Sequence, residues 1–198
     1  VEVLSKEINL SDVREFNEYI YNEKNGLSDK SKAAAIAAQT SKVIQERYKQ
    51  DEVFYKKFSD RINALLEELK KAKAEDIASL FTQIKDVQAQ VENYEDSDIP
   101  ENIKTQKVMH PFYRGIKSDL NNPDVDMEAL TSIVESIVKI IRENKIVDFE
   151  YNIVVRRNVL IEIEDFLLDD TDLNISPSLA EQIALNAWKI AVENKDSL

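Results

Sequence analysis

Residues 51–69 read DEVFYKKFSDRINALLEEL. Three aromatics and two lysines precede a leucine-rich run. The stretch is either a platform on which bases stack or the start of a buried helix face. Phe54, Phe58, Ile62, Leu65, Leu66 and Leu69 recur at three- and four-residue steps, which predicts one helical stripe. Lys56, Lys57, Glu67, Glu68 and Lys70 fall mostly on the other side. An aromatic on such a stripe is usually core, so Phe54 and Phe58 are expected to be buried. Tyr55 lies off the stripe and is left as the stacking candidate.

The same periodicity extends in both directions. Ala33, Ile36, Ala37, Thr40, Val43 and Ile44 form a stripe preceded by cap candidates Ser28 and Asp29. Ile77, Leu80, Phe81, Ile84, Val87 and Val91 form another. Met127, Leu130, Val134, Ile137 and Ile141 mark a helix capped by Asp126 and running to about Lys145. Val155, Val159, Ile163 and Phe166 mark the next, and Ile183, Ala187, Trp188 and Ala191 the last, from about Ser178. The β-branched alternation before it predicts a short strand near 150–155. The expected fold is mainly α, a helical bundle-like arrangement.

Composition agrees. Two glycines and four prolines in 198 residues suit helices. The absence of cysteine excludes disulfides, thiolate metal sites and thiol catalysis, and is compatible with a cytoplasmic setting. No apolar run is long enough for a membrane span, and no signal-peptide pattern is present. The opening VEVLS reads as strand or loop, and a start at Val1 suggests a piece of a longer protein.

Charge divides the chain. Residues 1–94 carry 15 Lys/Arg and 17 Asp/Glu; residues 95–198 carry 11 and 21. The polar stretch NYEDSDIPEN lies at the change and reads as a linker, with a boundary near Asp96. Two parts are expected, 1–94 and 95–198. The formal net charge of −12 opposes phosphate backbones as a whole, so a nucleic-acid contact needs a local patch.

One window qualifies. Between Ile103 and Ser118 there is no acidic residue, while Lys104, Lys107, His110, Arg114 and Lys117 occur there. It can be a phosphate-contacting patch, a surface for an acidic protein, or an accident of composition. Arg156 and Arg157 form a second, smaller candidate. Adjacent helical residues diverge by about 100°, so one arginine is expected to face solvent and the other a carboxylate such as Asp148.

Catalytic signatures are missing. Two glycines cannot build a phosphate loop. The single histidine, His110, has no nucleophile placed beside it and is expected to be structural. DDTDLNISPSLAE puts Asp170, Asp172, Asn174, Ser176, Ser178 and Glu181 at the ligand positions of an EF-hand loop. Ile175 stands where the loop's glycine is required. A capping box with Ser178 as N-cap and Glu181 three residues on is the better reading. No catalytic or metal-binding residue is expected, and no cofactor within this chain.

Two stretches carry a family likeness. RYKQDEVFYKKFSDRINALLEEL resembles the helical segment after the motor domains in the R subunit of type I restriction–modification enzymes. VDFEYNIVVRRNVLIEIEDFLL resembles the C-terminal segment of the same subunits, and LAEQIALNAWKIAVEN is similar to their last helix. The likeness is greatest to the class IC enzymes. It implies a parent subunit that is an ATP-dependent translocase and endonuclease, using ATP and Mg. It implies that this part docks on the methyltransferase (modification and specificity) subunits and touches DNA weakly, without sequence preference. The parent's ATPase and nuclease motifs are absent from these residues, so no catalytic residue transfers. The window from Lys104 to Lys117 departs from the family pattern. Two rival readings stand beside this one: a free-standing acidic helical adaptor for a basic protein, and, as the weakest, a carboxylate-metal enzyme.

Overall fold

The computed structural model describes residues 13–95, 97–122, 124–171 and 173–198. The opening VEVLS, the boundary residue Asp96 and the loop residue Asp172 lie outside them. Among the described residues the regular elements are all helical: α1 Val13–Ile20, α2 Asp29–Arg47, α3 Glu52–Lys71, α4 Ile77–Asn93, α5 His110–Leu120, α6 Met127–Asn144, α7 Ile153–Asp169 and α8 Pro177–Glu193, with short 3-10 turns. The fold is mainly α. No helix among the described residues is long and apolar enough to cross a membrane.

The chain forms two compact units. The first comprises residues 1–46 and 57–95. The second comprises 47–56 and 96–198, so the short stretch 47–56 belongs with the distant C-terminal half rather than with its neighbours in sequence. The first turn of α3 is thus in one unit and the rest of that helix in the other.

In the first unit the sequence stripes mark the buried faces, with Leu66, Ile77 and Phe81 only partly covered. Ala33, Ile36, Ala37, Thr40, Val43 and Ile44 of α2 are all buried, as are Phe58, Ile62, Leu65 and Leu69 of α3. Ser28 caps α2, its hydroxyl accepting from the Ser31 amide at 3.2 Å. Leu80, Ile84, Val87 and Val91 form the inner face of α4. A polar tie joins α1 to α4: Gln88 donates to Asn17 at 2.8 Å and accepts from the Tyr21 hydroxyl at 2.9 Å.

The second unit is a four-helix bundle. α5 packs on α6 and α8, and α7 packs on the same two. Its interior includes Phe112, Tyr113, Ile116, Leu130, Val134, Ile137, Ile163, Ile183 and Ala187. NYEDSDIPEN is not a loose linker throughout, because Ile99 is in this core and Ile103 is fully buried after it. Asp126 caps α6 as expected, accepting from the Ala129 amide at 2.8 Å.

Three local readings are corrected. The stretch near 150–155 is no strand. Phe149–Tyr151 form a 3-10 turn and α7 begins at Ile153, because the Asn152 side chain accepts from the amides of Val154 and Val155. Met127 is half exposed, since it occupies the first turn of α6 before the helix enters the core. The cap of α8 is Ser176 and not Ser178: the Ser176 hydroxyl accepts from the Leu179 amide at 3.3 Å. Pro177 then takes the first helical position, where its missing N–H costs nothing. Ser176→Ala is therefore expected to cost about 1 kcal/mol in urea unfolding, and Ser178→Ala less than about 0.5 kcal/mol. The reverse order would return the cap to Ser178.

Candidate functional site

Part of the acid-free window has a physical cause, although residues 104–107 within it are exposed. Every residue from His110 to Ile116 is buried. A helix covered on all sides has no face on which a carboxylate can stay hydrated. α5 also lies close to α8. A Cβ on Gly115 would stand 2.9 Å from Ile190 Cδ1 and 3.3 Å from Asn186 Nδ2, so the absent side chain permits the approach.

Arg114 is the permanently charged residue within this buried stretch, and it is not on a surface. Its guanidinium is ion-paired with Asp51, both side chains at most 4% exposed. The same guanidinium stacks on the Phe54 ring, 4.7 Å from its centroid. Asp51 also accepts from the Phe54 amide at 3.0 Å, which caps α3. Arg114 is thereby withdrawn from the phosphate-contacting set: burial and Asp51 occupy it.

Tyr55 is corrected with it. The ring is buried and meets Phe54 edge-on at 5.0 Å. Burial pushes its phenol up from the ordinary range, against the opposing pull of the hydrogen-bonded Arg47 guanidinium. It offers no face for a stacked base. Two further bonds secure the 47–56 stretch: Lys189 to Glu52 at 2.8 Å, and the Asn194 amide to the Gln50 carbonyl at 2.9 Å. A cleft of about 200 Å³ lies beside them, bordered by Lys49, Glu52, Ser118, Asn186 and Lys189. It is smaller than the ~300–1,000 Å³ of ordinary small-molecule sites.

His110 is structural in its contacts. Its Nε2 lies 3.1 Å from the carbonyl oxygens of both Ile103 and Lys104. Two acceptors require that nitrogen to carry the proton. Burial holds the imidazole pKa below its ordinary value; the Ile103 carbonyl opposes this and the Arg114 charge adds to it. The Tyr113 phenol is shifted the other way, raised by burial and then by the Asp98 carboxylate.

The remaining sequence candidates are separated. Lys104 is exposed and pairs with Glu101 at 3.1 Å. Lys107 is exposed on the 3-10 turn before α5. Lys117 is half-buried near the far end of α5, 5.8 Å over the Tyr113 ring. Ten largely helical residues put it about 15 Å from Lys107. Arg156 and Arg157 are both exposed on the first turns of α7, so the expected split between solvent and Asp148 does not occur. Among the described residues no group of three or more His, Asp or Glu is placed to hold a metal ion.

No model of a known protein family, no curated protein and no solved structure matches this chain.

Sequence reasoning missed two features. The Asp51–Arg114 pair joins residues 63 apart and leaves no local spacing to find. The other is a bare apolar turn between α6 and α7, where Ile146, Val147, Tyr151, Ile153 and Val154 are all more than half exposed. Its apolar residues follow four polar ones, Arg142 to Lys145, that end the α6 stripe, and nothing in their spacing marks them as exposed.

The buried pair should dominate stability. Arg114→Met strands the Asp51 carboxylate and is expected to cost about 3–5 kcal/mol in urea unfolding, while Asp51→Leu with Arg114→Met together recover much of that loss. A cost below about 1 kcal/mol for the single change would mean the pair is hydrated.

The pH dependence follows from His110, the sole histidine of the chain. Its lowered folded-state pKa means that the unfolded chain binds the extra proton first. Its contribution is complete above the ordinary histidine range and declines as pH falls through that range toward the folded-state value. The urea midpoint should drop between about pH 7.5 and 5.5 in the wild type, and less in His110→Gln. Equal slopes in the two proteins would contradict the assignment.

Proposed function

We propose that this chain is the C-terminal, non-catalytic helical part of the R subunit of a type I restriction–modification enzyme, resembling class IC. In this reading it docks the ATP-dependent motor on the cytoplasmic methyltransferase core and adds a weak, sequence-independent DNA contact. The observation that carries the reading lies in VDFEYNIVVRRNVLIEIEDFLL. This stretch, one of those bearing the likeness, begins as a turn with bare apolar side chains and continues into α7 with two exposed arginines. Apolar side chains held at a surface suit assembly better than a free-standing life. ATP and Mg belong to the parent's motor in this reading, and the cations left for phosphate are Lys104, Lys107, Lys117, Arg156 and Arg157.

The net charge of −12 favours a second reading, an acidic helical adaptor for a basic protein. The two differ in salt behaviour. An adaptor would lose its partner steeply with salt, whereas docking through apolar side chains would be retained.

Co-elution of the chain with the modification–specificity complex checks the assembly reading, and failure to co-elute contradicts it. DNA affinity should be poor for the isolated chain and stronger in the assembled complex. Neutralising Lys104 and Lys107 there should reduce the magnitude of the log-affinity against log-salt slope by about two. An unchanged slope would move the DNA contact to Arg156 and Arg157 or remove it.

A further inference from the structure

The turn between α6 and α7 is apolar, prominent and firmly held. Val147 is 89% exposed, Ile153 82% and Tyr151 79%, with Val154 at 66% and Ile146 at 53%. Exposures this high belong to side chains that project from a convex surface and do not line a groove. Elsewhere in the second unit the long apolar stripes are turned inward.

Four contacts fix the turn. Phe149 points inward, 2% exposed, with its ring edge-on to Trp188 at 5.5 Å. Lys145 Nζ donates to the Lys195 carbonyl at 2.7 Å. Lys195 also pairs with the Glu150 carboxylate, which lowers the Glu150 pKa and raises that of Lys195, in each case chiefly through their hydrogen bond. The Asn152 side chain accepts from the amides of Val154 and Val155 at 3.0 and 3.1 Å. With Phe149 anchored inward, the backbone turns its neighbours out. The ordering cost that a docking loop usually incurs on binding has already been met in folding.

The charges beside this knuckle differ from those of the chain as a whole. Arg156 and Arg157 are exposed directly after it. Glu150 is engaged by Lys195, and Asp148 is the exposed acid within the turn. Two cations beside apolar side chains call for a partner with carboxylates at the edge of an apolar recess.

Other occupants fit less well. Knuckle-to-knuckle pairing of two copies would bring the exposed Arg156 and Arg157 of both copies to the same interface, like charge against like. Two convex surfaces also cannot interlock, and a net charge of −12 repels a second copy. Nucleic-acid interfaces are polar and strongly cationic, and four bare aliphatic side chains contribute little to one.

We propose that Val147, Tyr151, Ile153 and Val154 form a preformed knuckle that enters an apolar groove, rimmed by carboxylates, on a partner protein. Arg156 and Arg157 meet the rim. The inference rests on the assembly reading above, and places that groove on the modification–specificity complex.

The test is a titration of the full chain against that purified complex. Val147→Asp with Ile153→Asp should fold, because both positions are solvent-exposed and Ile153 is at a helix N-terminus, where an acid is favourable. The double variant should bind at least tenfold more weakly with an unchanged melting temperature. Tyr151→Ala should weaken binding in the same direction and serves if the double variant unfolds. Arg156→Glu with Arg157→Glu should weaken it too, more at low salt than at high. Wild-type affinity in both Val147→Asp/Ile153→Asp and Tyr151→Ala overturns the knuckle and leaves the assembly reading intact. Absence of binding by the wild type overturns both. A wild-type dimer dispersed by the double variant would assign the surface to a second copy. Loss of duplex-DNA affinity in the double variant, with complex binding retained, would assign it to nucleic acid. Either result overturns the proposal.

Discussion

A carboxylate and a guanidinium excluded from water hold the second unit together. Asp51 and Arg114 each lose hydration on folding, and their contact with one another, the Phe54 ring and the Phe54 amide help to compensate. The pair is demanding because either charge left alone is costly. It therefore specifies which stretch of chain lies against α5: only one presenting a carboxylate immediately before a helical aromatic fits. The capping bond makes the same side chain set the first turn of α3, so one residue positions a long-range contact and starts a helix.

α5 gives that pair its surroundings. Its seven consecutive buried residues are covered by α6, α8 and the 47–56 stretch, and Gly115 allows the approach to α8. His110 closes the N-terminal end of the helix by donating to two carbonyls of the preceding turns. His110 Nε2 and the Asp51–Arg114 pair have specific partners, as expected where water is excluded, whereas the buried Tyr113 hydroxyl has no hydrogen-bond partner among the described residues.

Much of the fold was legible because helical stripes report burial directly. The inner face of α2 can be read residue by residue from its spacing, those of α4 and α6 apart from the partly exposed Ile77, Phe81 and Met127, and Asp126 announces the start of α6. Tyr55 was misread because a helical wheel assumes one core along the whole helix. The first turn of α3 lies in a different unit from the rest, and its surroundings bury residues off the stripe. The window from Ile103 to Ser118 was read as charge, yet from His110 to Ile116 the missing carboxylates reflect a stretch of helix with no solvent face. Arg114 in that window is identical in sequence terms to an exposed cation; only Asp51, 63 residues away, distinguishes it. The short strand expected near 150–155 came from β-branched residues, whereas Asn152 and its two amide contacts decide for a helix start. The knuckle was invisible for the opposite reason: apolar letters suggest burial, and nothing local says that Phe149 takes the inward place and leaves Val147 and Ile153 outside.

The division of the chain bears on how it can be cut. A fragment begun at residue 97 would retain α5 through α8 in full and would look, by its helices, like a complete bundle. It would still lack Asp51, Phe54 and Tyr55, which belong to the same unit. The guanidinium of Arg114 would then face an empty site in the interior, and α5 would lose the cover on that side. During synthesis the same dependence runs forward in time. The stretch 47–56 leaves the ribosome long before α5 exists, and its carboxylate and aromatic rings must remain available until the helix that buries them has been made. Closing a loop of that length costs only slightly more than closing one half as long, so the delay is primarily one of order rather than of free energy.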